Sequence, residues 1–69
     1  MNAQLNADTL ADNTYFLGVT NVLWIKRPGF AYRVTKEAKV PASTVLLGRV
    51  NLTNEEIRHF IQYEISLRS

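Results

Sequence analysis

The sequence predicts one small domain of the α+β class, in which an antiparallel sheet of three to four strands packs against a C-terminal α-helix. Residues 15–26, 30–35 and 44–50 are rich in β-branched and aromatic side chains and are separated by turn residues. The stretch after Thr53 instead repeats its apolar residues at helical spacing. A chain of 69 residues has room for a single domain, residues 1–69.

Residues 1–14 are polar and leave two interpretations open. They form either a flexible arm or a short helix, in which Asn6 caps residues 7–12 and Asp8 lies near the positive end of the helix dipole.

Residues 15–35 predict a hairpin. The first strand, residues 15–26, is apolar at both parities, which is typical of a strand covered on both faces, and Gly18 or Asn21 is expected to interrupt it with a bulge or turn. Pro28 and Gly29 fit the two central positions of a type II turn. The return strand alternates, with one face dry and the other carrying Arg33.

A basic connector and one more strand follow the hairpin. Residues 36–39 form the connector, and Pro41 favours an extended backbone before it. Residues 44–50 are predicted to be a strand, with Gly48 as a candidate bulge.

The C-terminal helix has the most specific local signal in the chain. Thr53 followed by Glu56 is a capping box, and Leu52 before it is placed for a hydrophobic staple. The residues predicted to pack against the sheet are Ile57, Phe60, Ile61 and Ile65, with Tyr63 and Leu67 beside them.

Two charged residues, Glu64 and Arg68, share that apolar side and are spaced for an ion pair. Either the last turn extends past the sheet into water, or Glu64 pairs with a cation of a neighbouring subunit and sets the register of an oligomer. A homo-oligomer is expected because a core this small needs support, and a chain with no cysteine and one histidine lacks disulfides and common zinc sites.

Positive charge is concentrated in the middle of a chain whose net charge is +2. Residues 26–49 hold six Lys and Arg residues against Glu37 alone, and aromatic residues alternate with them. Cations beside aromatic faces suit nucleotides and phosphates, although the rings could equally be core and the lysines edge protection. The candidate binding residues are Trp24, Lys26, Arg27, Phe30, Tyr32, Arg33, Lys36 and Lys39.

Signals for catalysis, cofactors, metals and membranes are weak. His59 lies on the predicted polar face of the helix, and the three glycines are isolated, so neither a catalytic centre nor a phosphate-binding loop is indicated. No apolar run is long enough to span a bilayer, and residues 1–14 do not resemble a secretory signal. We expect a non-enzyme without cofactor or metal in the cytoplasm.

These observations favour a small binding or regulatory protein whose basic, aromatic hairpin engages an anionic partner. That partner is nucleic acid, a nucleotide-like ligand or an acidic protein surface. The alternative is an inhibitor or adaptor that binds another protein through a strand edge, without nucleic acid.

A third hypothesis comes from resemblance. Residues 17–20 (LGVT) and 47–49 (LGR), followed by the capped helix, are similar to fragments of winged-helix excisionase-type DNA binders. The resemblance implies a recognition helix after Thr20 and binding to DNA.

Overall fold

The computed structural model describes residues 5–68, with only the backbone of Arg68. It contains five strands, β1 (Tyr15–Gly18), β2 (Leu23–Arg27), β3 (Phe30–Arg33), β4 (Ala38–Pro41) and β5 (Leu47–Arg49), followed by one helix, α1 (Asn54–Arg68). All neighbouring strands are antiparallel, in the order β4-β3-β2-β1-β5. The predicted α+β class is confirmed, with five strands rather than three to four.

The strand beyond the predicted number is β4, which begins within residues 36–39, so the prediction of a connector over that whole range is wrong. The predicted interruption of the apolar stretch 15–26 is a turn. Gly18 donates its N–H to the carbonyl of Val22 at 3.0 Å, and Asn21 adopts a φ of 63°. Asparagine tolerates this left-handed conformation better than most residues. The expected interruption therefore ends β1 and begins β2. The next turn is also as predicted, because Gly29 has a φ of 80° after Pro28.

The first core lies on one face of the sheet. Its buried cluster contains Ala7, Phe16, Ala31, Ala42 and Val45. The N-terminal segment closes this core: the Ala7 N–H donates to the Val45 carbonyl at 2.9 Å, and Asn6 forms a β-bridge with Leu46. Asn6 accepts from the N–H of Asp8, as predicted, but it caps a single 3₁₀ turn, Ala7–Thr9. Residues 1–4 of the predicted arm lie outside the described residues.

Helix α1 packs against β2, and the capping box is confirmed. Thr53 donates its N–H to Glu56 Oε1 at 2.9 Å, and the Glu56 N–H donates to Thr53 Oγ1 at 3.1 Å. Ile57, Phe60 and Ile61 are partly buried as predicted. Ile65 is not, with 48% of its surface exposed, and Tyr63 and Leu67 are also exposed. No helix among residues 5–68 has the length and hydropathy needed to cross a membrane.

β1 and β5 approach each other closely at two glycines. A Cβ added at Gly48 would lie 2.5 Å from the carbonyl oxygen of Gly18, well inside van der Waals contact. Leu17 pairs with Arg49 and Gly18 with Leu47, so Gly48 is the extra, unpaired residue of a β-bulge in β5, as predicted for this glycine. The absence of a side chain at Gly48 is therefore required for the two strands to pair.

We predict that Gly48→Ala lowers the free energy of unfolding by about 2–3 kcal/mol, because backbone atoms must move to accept the new methyl group. Gly29→Ala is the matched control. It places a Cβ in open space at a positive φ and should cost only about 1 kcal/mol. Urea denaturation measures both, and a Gly48→Ala midpoint equal to that of Gly29→Ala would contradict the close approach.

The helix cap predicts a pH dependence. The Thr53 N–H, and after it the Arg49 guanidinium, lower the pKa of Glu56. A carboxylate with a lowered pKa stabilises the fold at pH values above its unfolded-state pKa of about 4.3, and this stabilisation is lost as the pH falls through the folded-state pKa. The unchanged protein should therefore have a higher melting temperature than Glu56→Gln at neutral pH. The difference between the two melting temperatures should shrink as the solution is acidified. Glu55→Gln, which changes an exposed acid of the same turn, should show no such trend.

Candidate functional site

The residues of the basic hairpin divide between the two faces of the sheet. Side chains alternate along a strand, and directly paired residues share a face. The pairing of Arg27 with Phe30 and of Ile25 with Tyr32 places these four on the face opposite Phe16. The pairing of Phe16 with Trp24 and of Lys26 with Ala31 places those four on the face of the first core. The eight candidates therefore do not form one surface.

Lys26 and Trp24 serve the interior. Lys26 is only 5% exposed, and its Nζ lies 3.0 Å from Asp12 Oδ1 in an ion pair. Trp24 is partly buried against the first core. A buried, paired ammonium and a ring engaged in the core have little to offer a partner, so both leave the set of candidate binding residues.

The opposite face forms an aromatic platform, defined here as Tyr15, Phe30 and Tyr32 with Ile25 between them. All four side chains are partly buried. Tyr15 pairs with Ile25, which pairs with Tyr32, so one row crosses three strands. Sequence analysis missed Tyr15, because its place on the platform depends on the register of β1 against β2.

Two exposed cations border the platform. Lys39 pairs with Tyr32 across β3 and β4, and its Nζ lies 5.1 Å from the centre of the Phe30 ring. Arg27 is the cross-strand partner of Phe30, so both cations lie beside this ring, and Arg27 donates to the Oδ1 of Asn13. Neither cation forms an ion pair within the part of the chain that the structure describes. Positive charge and ring surface thus occur together here.

Arg33 and Lys36 occupy a different place, a cleft of about 550 Å³ between α1 and the β1–β2 turn. Arg33 is partly buried, and its Nε has no hydrogen-bond partner among residues 5–68 although it is shielded from solvent. Lys36 is exposed at the mouth of the cleft. A shielded, unmatched donor beside a second cation makes this cleft electropositive.

Glu64 is buried, which corrects the expectation that the last helical turn extends into water. It is 7% exposed, and its two carboxylate oxygens accept from the Leu23 N–H at 2.7 Å and from Thr35 Oγ1 at 2.6 Å. The carboxylate fastens α1 to its own sheet, and a role for Glu64 in an oligomer interface stays a prediction. The side chain of Arg68, its predicted ion-pair partner, lies outside the described residues.

His59 and the other titratable residues do not assemble into a metal centre. His59 is exposed and stacks on Tyr63, with ring centroids 6.4 Å apart and planes 10° from parallel. Within residues 5–68, no three His, Cys, Asp or Glu side chains come together in a way that could hold a metal ion.

We predict that Glu64→Gln lowers the free energy of unfolding by about 1–3 kcal/mol. The carboxylate accepts two charge-assisted hydrogen bonds, whereas the amide forms only neutral ones, by accepting from the Leu23 N–H and donating to the Thr35 hydroxyl, and neutral hydrogen bonds are about half as strong. Urea denaturation gives the loss, and Glu55→Gln is the control on the exposed side of the helix. Unchanged stability together with a changed molecular mass in solution would restore the subunit-pairing hypothesis.

The comparisons with known proteins place the chain in no family. It matches no protein-family model, no curated protein and no solved structure.

Proposed function

We propose that the protein is a non-catalytic binding protein whose aromatic platform, bordered by Arg27 and Lys39, engages single-stranded nucleic acid. The observation that carries the proposal is the register that brings Tyr15, Phe30 and Tyr32 onto one face, with two exposed cations beside Phe30. It retains the basic hairpin as the binding element and narrows it to the side chains that share this face.

The chemistry of the platform favours a single strand over the other anionic partners. Unpaired bases stack on aromatic rings, while cations beside the rings neutralise phosphates, and both interactions tolerate any sequence. An acidic protein surface would use the cations but not the rings. A duplex hides its base faces, so it would gain only the electrostatic contribution.

Three of the six acidic side chains of the chain have partners other than Arg27 and Lys39. Asp12 is committed to Lys26, Glu56 forms an ion pair with Arg49, and Glu64 is buried under the helix. Arg27 and Lys39 therefore keep charges that phosphates can neutralise. Lys39 close to the Phe30 ring offers charge and stacking surface at one point.

The test is binding of a fluorescent 12-nucleotide single strand at low salt, repeated as salt is raised. Tyr32→Leu should weaken binding by about 1–3 kcal/mol through lost stacking. Lys39→Gln should reduce the slope of log affinity against log salt by about 0.7, the value for one phosphate contact. Circular dichroism verifies that each variant remains folded.

Arg58→Gln is the matched control, since it removes one exposed positive charge from α1 and Arg58 is neither a platform residue nor one of its two bordering cations. It should retain the stacking contribution and nearly all of the affinity. The proposal fails if the single strand does not bind at low salt, if duplex of the same length binds as tightly, or if the control weakens binding as much as Lys39→Gln.

A second candidate is a protein-binding adaptor that works through a strand edge. β4 is an edge strand of the sheet, and three of its four residues are exposed. Lys39 and Pro41 on this strand are residues that discourage edge pairing, which makes the edge the weaker candidate. Homo-oligomerisation and a cytoplasmic location remain predictions; the exposed Tyr63, Ile65 and Leu67 favour the former.

The excisionase-type hypothesis loses its central element. The residues after Thr20 form a turn and then β2, where the resemblance requires a recognition helix. Binding to DNA through a helix in the major groove is therefore not proposed.

A further inference from the structure

The cleft between α1 and the β1–β2 turn lies apart from the aromatic platform and has its own chemistry. Its cations, Arg33 and Lys36, are not those that border the platform. Its volume of about 550 Å³ falls within the range of small-molecule sites, roughly 300–1,000 Å³. The cleft is therefore large enough for a compact organic ligand.

We propose that this cleft binds the phosphate monoester of a small aromatic ligand, with a mononucleotide as the representative. The first argument is the state of Arg33. Its Nε is shielded from solvent and lacks an acceptor within residues 5–68. The Nη atoms are not enclosed in this way and form no hydrogen bond to residues 5–68, so they are the part of the fork that would donate to two oxygens of a bound phosphate.

The second argument is the charge balance of the cleft. The one carboxylate in its lining, Glu64, is held by the Leu23 N–H and the Thr35 hydroxyl, and it forms no ion pair with Arg33. Lys36 adds a second positive charge to the lining. Arg33 and Lys36 outnumber Glu64, so the cleft has a net positive charge, which attracts a dianionic phosphate monoester more strongly than a monoanionic carboxylate or a phosphodiester.

The third argument is the wall that faces these cations. Phe60, Tyr63 and Leu67 supply ring and aliphatic surface from α1, and Tyr63 is 52% exposed. Thr20 and Asn21 on the opposite turn supply hydroxyl and amide groups. An aromatic body can lie on the rings while these polar groups contact its edge, and the phosphate reaches Arg33.

The experiment is a titration of the ¹⁵N-labelled full chain, followed by amide chemical shifts, with uridine 5′-monophosphate as the ligand. Inorganic phosphate, uridine and benzoate are the comparison compounds. The monophosphate should shift amides of residues 20–22 and 59–67 and bind at least about tenfold more tightly than any of the three. Tighter binding of benzoate would identify a carboxylate site, and tighter binding of uridine would remove the role of the cations; either result overturns the proposal.

Variants separate this site from the platform. Lys36→Gln, at an exposed position, should weaken binding of the monophosphate about tenfold. Arg33→Lys, which keeps the charge but removes the guanidinium fork, should weaken it by the same factor. Arg58→Gln is the control that should leave binding unchanged. Tyr32→Leu should weaken binding of the oligonucleotide but not binding of the monophosphate. No cleft shifts at millimolar monophosphate, or equal losses from Lys36→Gln and Arg58→Gln, would refute the cleft site whatever the oligonucleotide result.

Discussion

The buried carboxylate of Glu64 is the interaction on which the arrangement of helix and sheet depends. One oxygen accepts from the main chain at the start of β2, and the other accepts from a hydroxyl just after β3. A carboxylate is costly to remove from water unless its oxygens are matched, and here both are. These two hydrogen bonds fix the position of α1 on the sheet. They therefore also determine the shape of the cleft beside the helix and how much of the sheet surface the helix leaves open.

The two faces of the sheet have different roles. One face, with Phe16 and Ala31, is closed by the N-terminal segment and forms the first core. The other face buries Leu17 and Leu23, while the platform residues remain only partly buried. Since register decides which side chains share a face, a shift of one residue between β2 and β3 would exchange Tyr32 and Arg33 and destroy the platform. The close approach of Gly18 and Gly48 fixes the pairing of β1 with β5.

Local signals were sufficient for the start of the helix and for the hairpin turn but missed β4, and the site needed information from distant segments. Thr53 and Glu56 lie within one turn, and Pro28 and Gly29 are adjacent, so sequence alone placed the helix start and the hairpin turn. The two roles that changed depend on residues far away in sequence. Lys26 is neutralised by Asp12, 14 residues earlier, and Glu64 is bound by Leu23, 41 residues earlier. Tyr15 belongs to the platform because of the register of β1 against β2. The alternation of side chains within one strand does not determine that register.

The contact between Glu64 and Leu23 also bears on how the chain reaches its folded form. It joins positions 41 residues apart in a chain of 69, and the pairing of Leu17 with Arg49 spans a further long loop. Closing such loops costs entropy before the contacts are gained, and small domains rich in distant pairings fold slowly for that reason. The meander β1 to β4 is local and can assemble first. The face with Leu17 and Leu23 then stays solvated until β5 and α1 pack. The partly formed sheet is therefore the folding stage at which the chain is most exposed to aggregation.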